Sequence, residues 1–113
     1  MLISLKRGIF MTLEEITKQL WEASEKKRAC RVTLSKEPLP RTVYPYGISK
    51  TSKNQIVLVC WQISGFTKAG GKEGYRNLQL DRIVELEILD LHFQKRNDFN
   101  PLDGQYREWV YHI

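Results

Sequence analysis

Residues 75–83 read Y-R-N-L-Q-L-D-R-I, with arginines near both ends and leucines between them. Side chains of an extended chain alternate between faces, so Leu78 and Leu80 share one face and Arg76 has their parity. Arg82 enters just as the next apolar run, Ile83, Leu86 and Ile88, begins. The pattern predicts a half-buried strand carrying fixed cations, and fixed cations invite an anion. With its neighbours it predicts a small β-barrel whose arginines engage a phosphate-bearing ligand.

Working outward, the same period of two recurs. Cys30, Val32 and Leu34 alternate with Arg31 and Thr33, a half-buried strand over 29–35. Lys36 to Pro40 holds two prolines and predicts a turn. Arg41 to Ile48 predicts a second strand interrupted by Pro45, which lacks a ladder donor; Gly47 close behind it predicts a bulge or sharp bend. Gln55 to Ile63 is the most apolar run. Ile56, Leu58 and Cys60 face one way and Val57, Val59 and Trp61 the other, as in a central strand buried on both sides. The glycine-rich stretch 64–74 lacks the Gly-Lys-Ser/Thr of a P-loop and a following helix, so it reads as a hairpin loop. Asp81 and Arg82 mark a bend before a strand ending near Phe93. Gln94 to Gln105, with Asn100, Pro101, Asp103 and Gly104, predicts a linker or extended arm. Tyr106 to Ile113 then places Trp109, Tyr111 and Ile113 on one apolar face of a last strand, which either closes the sheet or adds to a neighbouring subunit.

One helix precedes these strands. Thr12 and Glu15 have the spacing of a capping box, and Leu13, Ile16, Leu20 and Ala23 line one face with Trp21 at its flank. The helix is expected to end near Lys26, Lys27 and Arg28, a cluster that either matches the helix dipole or binds phosphate. The organisation expected is an extension over 1–11, a helix-plus-barrel domain over 12–93, and a C-terminal arm and strand over 94–113.

A chain of 113 residues supports one core. Its net charge of +5 favours polyanionic partners. Cys30 and Cys60 lie in apolar runs without a CxxC pattern, which predicts reduced, buried thiols and a cytoplasmic chain, with a single bridge formally open. No run reaches membrane-spanning length, and Lys6 and Arg7 inside the first apolar segment are in the wrong order for a signal peptide. His92 and His112 lack a metal-spaced partner, no nucleophile elbow occurs, and Glu85 and Glu87 read as solvated strand positions. No catalytic residue, metal or cofactor is therefore expected.

Arg31, Arg41, Arg76 and Arg82 each sit in or beside a predicted strand, where a guanidinium must meet solvent, a carboxylate or a ligand. Tyr44, Tyr46, Trp61 and Tyr75 lie near them and can stack on bases. The alternative is that Asp81 pairs with an arginine and the aromatics fill the core.

These residues resemble the WYL domain family. The resemblance runs from Leu13 to about Phe93: a capped helix, A-C-R-V-T-L, R-T-V-Y-P-Y-G-I, an apolar strand, then R-N-L-Q-L-D-R-I leading to L-H-F. Ile56, Val57 and Leu58 stand where the family has Trp-Tyr-Leu, and Leu78 where it often has an aromatic. The resemblance implies an Sm-like small β-barrel behind a helix, a non-enzymatic sensory domain of bacterial transcription regulators or defence proteins. It implies binding of an anionic nucleotide or single-stranded nucleic acid through Arg76, Arg82 and Arg41, with Tyr75 beside them. With one helix available, no helix-turn-helix and no direct operator reading are expected. The competing expectation is a structural module that dimerises, or meets a protein partner, through Tyr106 to Ile113 and binds no ligand.

Overall fold

A computed structural model of the chain describes residues 2–4, 10–68 and 70–113, and of 2–4, 10 and 11 the backbone alone. Strands β1, Leu2–Ser4, and β2, Phe10–Thr12, pair antiparallel in a ladder of their own. Residues 1 and 5–9 of the expected N-terminal extension lie outside the described residues.

Helix α1, Leu13–Glu25, begins where the capping box predicts. Thr12 Oγ1 accepts from the Glu15 N–H at 3.1 Å, and Glu15 Oε1 accepts from the Thr12 N–H at 3.4 Å. Ile16, Leu20 and Ala23 are buried, Leu13 packs against the same core, and Trp21 is exposed. Lys26 and Lys27 fall past the last turn: Lys26 donates its N–H to the Glu22 carbonyl, and Lys27 adopts the left-handed φ of 52° that often ends a helix. Thr12→Ala should lower stability by about 1 kcal/mol, read as a reduced urea midpoint at constant m-value. An unchanged midpoint would mean that β2, not the cap, holds this helix end.

The remaining strands are β3 (Arg28–Leu34), β4 (Arg41–Thr51), β5 (Ile56–Gly65), β6 (Gly74–Gln79), β7 (Ile83–His92) and β8 (Tyr106–His112). They form one antiparallel sheet in the order β6-β5-β4-β3-β7, with β8 paired to β4. The fold is mainly β with one leading helix, as the sequence predicts. Among the described residues no ladder joins β6 to β7, so the sheet is open; a short 3-10 turn, Leu80–Arg82, links these strands instead. No helix among the described residues is long and apolar enough to cross a membrane.

Strand β4 organises the sheet. One edge pairs with β5 from Arg41↔Gly65 to Lys50↔Ile56, while the other is shared, Arg41–Val43 pairing with β3 and Gly47–Thr51 with β8. The β4–β5 register shifts between Pro45 and Gly47, leaving Tyr46 as the extra residue. This is the bulge that the donorless proline predicts. The β4–β8 register shifts as well, from Ile48↔Tyr111 to Ser49↔Trp109, so Val110 is skipped and stays exposed. That second bulge overturns the single apolar face expected of the last strand. Tyr111 packs against the core beneath α1, while Trp109 and Ile113 join a second core.

The two-faced burial of β5 divides the interior as its sequence predicts. Leu58 and Cys60, with Val32, Val43, Ile48 and Ile83, meet Ile16 and Leu20 of α1. Val57 and Val59 meet Tyr46, Phe93 and Phe99 on the opposite side. Ile56 departs from its expected place beside Leu58: at the start of the strand it is 40% exposed. Both cysteines are free and buried, and burial pushes the Cys30 thiol up to about 12 and raises Cys60 likewise.

Candidate ligand-binding site

Arg41 opens β4 and is the most enclosed of the sequence-selected arginines. Its Nε donates to Glu37 Oε1 at 2.9 Å, Nη2 to Glu37 Oε2 at 2.8 Å, and Nη1 to Gln62 Oε1 at 3.1 Å. The two charged side chains are only 7% and 3% exposed. The hydrogen-bonded guanidinium holds the Glu37 carboxyl below the usual glutamate range. The two-pronged edge of Arg41 is thus taken by Glu37.

Arg76 and Arg82 are held differently. Arg76 folds back over its own hairpin, Nη1 donating to the Tyr75 carbonyl at 2.9 Å and Nη2 to the Lys72 carbonyl at 2.6 Å. Gly74 makes room, since a Cβ there would sit 3.0 Å from Nη1. Arg82, in the 3-10 turn, donates from Nη2 to the Ser35 carbonyl at 2.9 Å. Asp81 is exposed, and among the described residues no ion pair joins it to Arg82. A carbonyl fixes the direction of a guanidinium without cancelling its charge. Glu37 feels the charges of Arg41, Arg82 and Lys68, and Cys60 those of Arg41 and Arg76. Arg31, by contrast, is paired with Glu87 at 2.9 Å across β3 and β7.

Tyr75 is on the opposite face from Arg76. Its ring meets Trp61 edge-on at 4.9 Å and Tyr46 at 6.0 Å, and its Oη donates to Asp98 Oδ1 at 2.6 Å. Burial first, then this bond, push the phenol pKa up. Residues 93–99 lie across this face. Phe93 stacks on Tyr44 at 4.7 Å and on Tyr46 at 5.7 Å, and Phe99 meets Tyr46 edge-on at 4.9 Å. Tyr46 is fully buried, its Oη accepting from the Arg96 N–H at 2.9 Å. The Arg96 guanidinium lies 3.7 Å from the Trp61 ring centroid, while its Nε and Nη2 each reach Asp98 at 3.0 Å. Asp98 is held down at about 2, by Arg96 first and Tyr75 second.

The aromatics read as stacking platforms are therefore engaged within the chain: Tyr44 and Tyr46 by rings, Trp61 by a cation. Arg96 and Asp98 escaped sequence reasoning because they lie in a stretch read as linker. The signal available was the polar run Lys95-Arg96-Asn97-Asp98 between Phe93 and Phe99, two apolar pins in an otherwise polar segment. Among the described residues no group of His, Cys, Asp and Glu side chains is placed to hold a metal ion. No protein-family model, curated protein or solved structure matches this chain.

Proposed function

We propose that this chain is a WYL-type ligand-sensing domain, an Sm-like small barrel whose seam between β6 and β7 is left open. It binds an anionic nucleotide or single-stranded nucleic acid and acts in the bacterial cytoplasm through a partner, in transcription regulation or defence, without catalysis of its own. The sequence support is the ordered match of R-T-V-Y-P-Y-G-I and R-N-L-Q-L-D-R-I to that family's pattern. The observation that carries the anion reading is the state of Arg76 and Arg82, oriented by backbone carbonyls with no carboxylate partner among the described residues. Arg41 serves the same end from within, bracing β4 against Glu37. The competing module that pairs through Tyr106 to Ile113 draws less support, since β8 already pairs with β4 of its own chain.

Titration of a labelled single-stranded decamer over a salt series tests this reading. Affinity should fall linearly on logarithmic axes as salt rises. The Arg76→Gln/Arg82→Gln double variant should bind more weakly with a salt slope smaller by about two, one per lost contact. Absence of binding at low salt, or binding indifferent to the double substitution, would reject it.

A further inference from the structure

The Arg96 guanidinium carbon lies over Trp61, 3.7 Å from the ring centre. On this face Tyr44, Tyr46, Phe93 and Phe99 pack against aromatic neighbours, while Trp61 has the Tyr75 ring edge-on at 4.9 Å and, in addition, a guanidinium whose side chain is 42% exposed. The backbone beneath it is fixed, with Phe93 and Phe99 buried and the Arg96 N–H on Tyr46 Oη. Uncovering the indole therefore takes rotation of one side chain and no movement of the arm. What holds that side chain is weak: a cation–π contact and an ion pair to an Asp98 that is itself 56% exposed.

We infer that Trp61 is a nucleobase-stacking site that Arg96 covers in the free protein, its guanidinium moving from the indole to the phosphate of an arriving nucleotide. The inference rests on the proposed nucleotide recognition and adds where the base goes. Among the described residues, β6 is the last strand on its side of the sheet. A ligand crossing that open edge meets Arg76 on one face and the Tyr75–Trp61 pair on the other. Lys95, whose Nζ lies 5.6 Å over Phe99, adds a second cation beside Arg96. Asp98 opposes a phosphate, but it accepts from Tyr75 Oη and keeps that partner when Arg96 leaves.

Two labelled probes at low salt test it: an oligo-dT decamer and an abasic strand of the same length, which carries the phosphates without bases. The wild-type chain should prefer oligo-dT by about tenfold. Trp61→Leu should abolish that preference and leave abasic binding where it was. Arg96→Ala should widen the preference while lowering the salt slope for both strands by about one. Equal affinity of the wild type for both strands overturns the stacking site and leaves the reading of Arg76 and Arg82 standing. A preference that persists in Arg76→Gln/Arg82→Gln at undiminished affinity keeps the stacking site and rejects that reading. No binding of either strand overturns both. If Trp61→Leu weakens both strands alike, its packing is damaged and Arg96→Ala decides: a ratio that does not widen removes Arg96 as the cover.

Discussion

Replacing Gly47 by alanine should detach β8 from the sheet and lower stability by about 3 kcal/mol, the upper range for overpacking a close-fitted interior. A Cβ at this position would lie 2.4 Å from the Tyr111 carbonyl oxygen, 2.8 Å from Trp109 Cζ3 and 3.0 Å from His112 Cα. Two of these atoms are backbone, and they cannot retreat without breaking the Gly47↔His112 pairing. With that pairing go the Ile113 N–H bond to the Tyr46 carbonyl at 2.9 Å and the place of Trp109 and Ile113 in the second core. Urea denaturation should show a lower midpoint, and amide exchange should accelerate across 106–112 before the rest of the sheet opens. Unchanged exchange in β8 would mean that the strand shifts to accommodate the methyl group.

Glu37→Ala should be comparably damaging, at about 3 kcal/mol, because it strands a nearly enclosed guanidinium without its counter-charge. Among the described residues, Arg41 then keeps Gln62 Oε1 and the ring of Phe66, 5.6 Å away. Replacing both partners, Glu37→Met with Arg41→Met, should recover most of the loss, since the double change removes the buried charge as well as its partner. A double variant as unstable as Glu37→Ala would contradict that account. The pH dependence follows from the depressed Glu37 carboxyl. Its folded-state pKa lies below its unfolded value, so the pair's contribution is complete above the ordinary glutamate range. It is lost as pH falls through the depressed value.

The features legible in the sequence were those fixed by neighbours along the chain. Thr12 and Glu15 announce the helix, Pro45 and Gly47 announce the bulge, and the unbroken apolar run of β5 announces burial on both faces. The face of β8 was not legible, because its bulge arises from pairing with an already bent β4 and leaves no proline or glycine in 106–112. The candidate arginines were visible as residue types, but their partners were not. Glu37 precedes Arg41 by one helical-looking step across a proline turn, and the acceptors of Arg76 and Arg82 are main-chain carbonyls that any sequence supplies. Arg96 was missed because the polar run around it carries no period, and only the fold lays it over Trp61.

The shared edge of β4 also sets an order of assembly. Ser24 of α1 reaches Tyr111 across 87 positions of chain, Oγ to Oη at 3.1 Å. The core beneath the helix is therefore completed only once Tyr111, 87 positions after Ser24, has been synthesised. Until then Gly47–Thr51 presents a bare strand edge beside apolar surface, the kind of edge that recruits other chains. The docking of β8 is thus both a late long-range contact and the step that covers this edge against aggregation.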